Sequence, residues 1–234
     1  MNSYYFGGYY LMKLKPIGFG SETNAIIYTC SNCINDSLID SWAYSGIKIN
    51  NDELKSVYKN LQIDGEQLLA IRNWADNKIE TDNIGWVNVF ADLKTVRLYK
   101  QTFFSHLDDV VVMSIHFDEK ETNDFLNEFK PINETQGSIG IYQNLIKGIP
   151  ENESQNEKFI GFDLIGIENS GDFHSFHCHD ISKGLSNKFN LEINSYGLLD
   201  AINNWAPILN YMNDEEIGLE PVPWYSAKIK LVNP

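Results

Sequence analysis

Residues 159–180 read FIGFDLIGIENSGDFHSFHCHD. An apolar run of strand length, the turn-forming tetrad Asn169-Ser170-Gly171-Asp172 and a second β-prone run together read as a hairpin. A hairpin means antiparallel pairing. Around it, strands and helices follow one another without the regular βαβ alternation of a parallel sheet. The expected class is therefore α+β: a single domain over residues 1–234, mostly antiparallel sheet with several packed helices.

Working outward, DDVVVMSIHF (108–117) holds the most apolar Val/Ile run in the chain and reads as a buried strand. ETNDFLNEFKP (121–131) follows as a short amphipathic helix, with Phe125, Leu126 and Phe129 on one side and Pro131 beyond its end. Residues 3–16 are aromatic and β-prone, with Gly7 and Gly8 as a bulge, and AIIYTC (25–30) has strand length. Leu68, Leu69, Ile71 and Trp74 recur at helical spacing within 65–78. Residues 83–104 read as a hairpin around Ala91–Asp92. ISKGLSNKF (181–189) and YGLLDAINNWAPILNYMN (196–213) read as helices, the second kinked or ended by Pro207. PVPWYSAKIKLV (221–232) closes the chain as a strand behind two prolines. Only the polar segment 146–158 resembles a boundary, and it does not divide the domain.

Composition limits the function classes. With 43% hydrophobic residues the 234-residue chain can fill a core, and no apolar run reaches the roughly 20 residues a bilayer crossing needs. The N-terminal stretch lacks a basic segment followed by an apolar one, and the three cysteines, Cys30, Cys33 and Cys178, are no disulfide framework. A cytoplasmic location is expected. Eighteen Lys and Arg against 32 Asp and Glu give a net charge of −14. Such a field repels phosphate backbones and attracts a basic partner, so the expectation is no nucleic acid, no membrane, and a protein ligand.

HSFHCHD (174–180) is the stretch that looks most like a chemical site. On a strand, His177 and His179 share one face with Ser175, while His174, Phe176 and Cys178 share the other. The i, i+2 histidine pair is a workable pair of zinc ligands, with His116, Glu168 or Asp172 as a third. The structural alternative makes the cluster scaffold, with Asp180 as the N-cap of the helix that follows. CSNC (30–33) has the spacing of a redox dithiol, but its flanks open no good helix and no second CxxC completes a zinc ribbon. GxSxG, GxxxxGK[ST] and GxGxxG are absent from the sequence.

Acidic residues cluster instead. Asp118, Glu119, Glu121, Asp124 and Glu128 crowd one segment; Glu151, Glu153 and Glu157 another; Asp214, Glu215, Glu216 and Glu220 precede PVPW. The last group lies in sequence beside Tyr211, Trp224 and Tyr225, and acid ringed by aromatics suits a surface that receives a basic protein.

GFDLIGIENSGDFHSFHCHD, NSYGLLD and YMNDEEIGLEPVPW, within residues 160–232, resemble small bacterial immunity proteins encoded beside polymorphic or contact-dependent toxins. The resemblance implies a protein that binds and neutralises a cognate toxin domain, many of which are basic nucleases; it implies no particular architecture. The expected partner-binding residues are Asp214, Glu215, Glu216, Glu220 and Trp224, with no cofactor and no catalysis. The competing expectation is a metal-dependent hydrolase built on His174, His177 and His179.

Overall fold

The structure is a computed structural model that describes residues 3–15, 26–27, 62–80, 89–131, 140–151, 156–167, 173–176, 181–200, 202, 204–214 and 221–233. In chain order the elements are β1 (Tyr4–Lys15), β2 (Ile26–Ile27), α1 (Gly65–Glu80), α2 (Leu93–Phe103), β3 (Val110–Asp118) and α3 (Glu119–Glu128). They continue with α4 (Gly140–Leu145), β4 (Glu157–Ile167), β5 (Phe173–Ser175), α5 (Ile181–Phe189), α6 (Ala206–Met212) and β6 (Trp224–Val232). The strands form one antiparallel sheet in the order β2-β1-β3-β6-β4-β5. The class is α+β, and the C-terminal strand lies at the centre, between β3 and β4.

Strand alternation distributes the core. On β3, Met113, Ile115 and Phe117 point to one face, where Phe125 of α3 and Ile141 and Leu145 of α4 cover them together with Tyr225, Ala227 and Ile229 of β6. The other face is divided. At one end Val110, Val112 and Val232 meet Val96 and Tyr99 of α2 and Ile71 of α1. At the opposite end Phe162, Leu164 and Trp224 meet Leu185 of α5 and Ile208 and Leu209 of α6. Between these two apolar ends the same alternation places Ser114, His116, Ser226, Lys228 and Lys230. That polar strip is held by ion pairs: Lys228 Nζ lies 2.8 Å from Glu151, which also pairs with Lys230.

Two glycine bulges bend the long strands. The β1–β3 register slips between Phe6 and Gly8, and Gly8 has φ +142°. A Cβ there would sit 1.9 Å from Val89 Cγ1, and Asn144 of α4 donates its amide to the Gly7 carbonyl at 2.8 Å. The Gly7–Gly8 bulge expected from the sequence is therefore present. The β4–β6 register slips likewise between Phe159 and Gly161.

Two expected elements differ. Residues 93–103 are helix α2, not the second arm of a hairpin. Asp92 decides this: its carboxylate accepts the Thr95 N–H at 2.8 Å as an N-cap, and Val96 and Tyr99, three apart, face the core. Capping and helical burial outweigh the β-propensity of a Thr-Val-Arg-Leu-Tyr run. The helix expected across 196–213 starts only at Ala206. Pro207 stands at its first turn, where its missing N–H costs nothing, so the proline begins this helix and does not end it. Before it, Leu199 exchanges backbone hydrogen bonds with Phe162 at 2.8 and 2.9 Å.

Candidate functional site

The acidic segment after β3 becomes a site through its position. Asp118 ends the strand and caps α3 in one step, accepting the Glu121 N–H at 2.9 Å. The helix buries Thr122 and Phe125, with Phe125 stacked between Phe117, Phe129 and Tyr225. Its solvent face carries Glu119, Lys120, Asn123, Asp124, Asn127 and Glu128. Glu119 and Glu121 suit the positive end of the helix dipole, whereas Glu128 sits in the last turn, where a negative charge is disfavoured and no basic residue offsets it. Helix stability alone does not call for that acid.

A cavity of ≈ 300 Å³ separates α3 from α6. Lys120, Glu121, Asp124 and Glu128 form one wall; Leu209, Asn210 and Asn213 form the other, over a floor of Pro223, Trp224 and Tyr225. Two side chains finish that floor. The β3–β6 ladder ends at the His116–Lys228 pair, two residues before β3 gives way to α3. The Ser226 N–H, which would have paired next, donates to Glu121 Oε2 at 3.1 Å instead. Two residues earlier, Asn213 accepts the Trp224 N–H at 2.8 Å and donates to the Trp224 carbonyl at 3.2 Å. Side chains from α3 and α6 thus stand in for a strand.

The electrostatics follow from burial. Glu121 is only 4% exposed, and its carboxyl is pushed up to about 7. Loss of solvent is the main cause; the Ser226 N–H and Lys120 oppose it. Lys120 Nζ lies 2.6 Å from Asp124 and 3.8 Å from Glu121, so one ammonium sits against two carboxyl groups on this wall of the cleft. The Tyr225 hydroxyl is also raised, by burial and then by Glu128, Glu121 and Asp124.

The structure sorts the residues expected from sequence. Asp214 is exposed, one residue beyond the cleft-lining Asn213. Glu215, Glu216 and Glu220 lie outside the described residues. Trp224 is a correction: at 2% exposure it belongs to the core with Phe162, Leu164 and Ile208, and offers no aromatic anchor at the surface. Alternation on β6 turns its ring inward beneath α6. His174 lies in β5 opposite Gly166, while His177, Cys178, His179, Asp180, Glu168, Asp172, Cys30 and Cys33 fall outside the described residues. His116 is buried on β3, far in sequence from His174, His177 and His179. Among the described residues, no group of three or more His, Cys, Asp or Glu is placed to hold a metal, and no helix is long and apolar enough to cross a membrane.

Glu121, Asp124 and Glu128 are the site residues that sequence reasoning did not select. Their acidity is plain in the sequence, but their meeting with 209–213 and 223–226 is not. No protein-family model, curated protein or solved structure matches this chain.

Proposed function

We propose that this chain is an immunity-type protein, which binds a toxin domain of basic surface and blocks it. The acidic cleft between α3 and α6 is the docking surface. One observation supports this most directly: Asp124 and Glu128 stand exposed on the wall of a cleft whose far side leads into Asp214. Three acidic side chains of α3 line one wall of this concavity, and Asp214 follows the opposite wall in sequence, on a chain of charge −14. The fold does not require this charge, since Glu128 opposes its own helix dipole.

In this reading the overall negative field raises the encounter rate, and a Lys or Arg of the partner enters the cleft. Glu121, poised near neutrality, loses its proton as that cation arrives, because an opposite charge favours the ionised form. Binding then releases a proton.

The test begins with the neighbouring reading frame: if it encodes a toxin domain, that domain is co-expressed with this chain, and if it encodes none, the immunity reading loses its partner. Protection is expected, and a cell that dies regardless removes the immunity reading. With purified partner, Asp124→Lys with Glu128→Lys should slow association and flatten its salt dependence, leaving the circular dichroism spectrum unchanged. Screening beyond about 8 Å at 0.15 M salt makes the salt series the sensitive measurement. Unaltered kinetics would move the docking surface elsewhere. Stoichiometric zinc in the purified protein, lost in His177→Ala, would instead favour the metal-dependent hydrolase.

A further inference from the structure

The cleft between α3 and α6 holds an acceptor that the fold leaves unfilled. Glu121 lines it with a side chain only 6% exposed. Its Oε2 accepts the Ser226 N–H, whereas no hydrogen bond reaches Oε1 among the described residues. Oε1 is nevertheless not sealed off: among the described residues, the only buried side-chain nitrogen or oxygen without a hydrogen bond is His116 Nδ1. Solvent therefore touches Oε1, and the cavity that Glu121 lines is the cleft.

Charge in the cleft is unmatched as well. Asp124 and Glu128 share the wall with Glu121, and Lys120 is the one cation among the lining residues. Its ammonium is spent on Asp124 at 2.6 Å and stops 3.8 Å from Glu121. The polar groups of the far wall are the amides of Asn210 and Asn213, and Asn213 is committed to the Trp224 backbone. On the floor, burial keeps the Tyr225 hydroxyl protonated, so it adds no charge.

These acids do not converge on a point. Among the described residues no three such groups are placed to hold a metal ion. Lys120 shows that an ammonium, a compact charge, serves one carboxylate at the expense of its neighbour. A guanidinium differs. Its five N–H donors lie in a rigid planar fork that can bond two carboxylates at once, and it is more weakly hydrated than an ammonium. Glu121 Oε1 and Asp124 Oδ2 lie around a single position, that of Lys120 Nζ, at 3.8 and 2.6 Å. One such fork spans that spacing.

We propose that the cleft is selective for arginine: one guanidinium of the partner bonds Glu121 Oε1 and Asp124 Oδ2 together, and Lys120 swings out into solvent. This inference rests on the docking role proposed above and narrows what the cleft takes from a basic surface to one kind of side chain. Lys120 is suited to leave. Its side chain is 72% exposed, and an exposed i, i+4 pair such as Lys120–Asp124 is worth little. It is a resident competitor that a better-shaped cation displaces.

The probes are N-acetylarginine amide and N-acetyllysine amide, titrated by NMR into the nitrogen-15-labelled full chain at pH 8 and low salt. At that pH the Glu121 carboxyl, at about 7, is ionised. The reporter is the Ser226 amide, whose hydrogen bond ends on the same carboxylate. The arginine probe should shift it saturably and bind about ten-fold more tightly than the lysine probe, the effect of one further charge-assisted hydrogen bond. Glu121→Gln should remove most of that preference, and Lys120→Gln should tighten arginine binding several-fold. Equal affinities, a Ser226 amide that neither probe moves, a preference that survives Glu121→Gln, or weaker arginine binding in Lys120→Gln overturns the inference. The two readings fail separately. A chain that protects against the toxin domain yet shows no preference keeps the docking role and loses the arginine; selective probe binding without protection does the reverse.

Discussion

Replacing Glu121 by Gln isolates the cost of burying a charge beneath the acidic cleft. The amide keeps an oxygen to accept the Ser226 N–H, now 3.1 Å from the carboxylate, but has nothing to ionise. The carboxyl pKa is 4.5 ordinarily and about 7 in the folded chain. The native state therefore binds the proton more tightly than the unfolded chain does. Stability from this group is fully present below pH 4.5 and is lost as pH rises through 7. At about 1.4 kcal/mol per pKa unit, the loss is on the order of 3 kcal/mol by pH 8. Glu121→Gln should thus match the original within about 0.5 kcal/mol at pH 4.5 and exceed it by up to about 3 kcal/mol at pH 8. Urea unfolding at both pH values gives the two differences. The comparison must be made between variants at each pH, because His116 titrates with the opposite sign. Its folded pKa of about 4 lies below the ordinary 6.5, so its contribution is present above pH 6.5 and is lost as pH falls toward 4. A Gln variant less stable than the original at pH 8 would mean that the carboxylate is paired well enough to be stabilising, and the desolvation argument would fail.

Further measurements address packing and local geometry. Gly8→Ala forces a Cβ to 1.9 Å from Val89 Cγ1 at φ +142° and should lower stability by more than about 2 kcal/mol in urea unfolding. A loss below 1 kcal/mol would indicate that the bulge relaxes. Asp92→Ala removes the α2 N-cap and should cost about 1 kcal/mol; an unchanged unfolding midpoint would mean that burial of Val96 and Tyr99 alone sets the helix start. Trp224→Ala should destabilise by roughly 3–5 kcal/mol, as for other buried aromatic truncations. If it leaves folding intact yet abolishes partner binding, the ring has a surface role that its 2% exposure does not suggest.

The sheet was legible wherever alternation and turn chemistry act locally. The hairpin of β4 and β5, the Val-rich β3 and the terminal β6 lie where the sequence puts them, as does the double-glycine bulge. Residues 93–103 were not legible as helix, because β-branched and aromatic residues pointed to strand and a single capping aspartate decided otherwise. Pro207 carried two meanings, helix stop and helix start, and only the pairing of Leu199 with Phe162 selects the second. The cleft was half legible. Acid at 118–128 is evident, but Glu121 meets Ser226 across 105 positions, and nothing local in either segment announces the other. The His116 environment was hidden for the same reason: its neighbours come from β1, β4 and β6.

The start of β6 has a further consequence. A strand edge facing solvent invites another chain to pair with it, and proteins guard such edges with charge, curvature or cover. Here the guard at residues 224–226 is two removable side chains, Asn213 and Glu121, rather than a neighbouring strand. Shortening both would uncover the Trp224 and Ser226 amides and the Trp224 carbonyl while leaving the backbone in place. The same few atoms that finish the floor of the cleft therefore also occupy the backbone groups through which a second chain could add a strand.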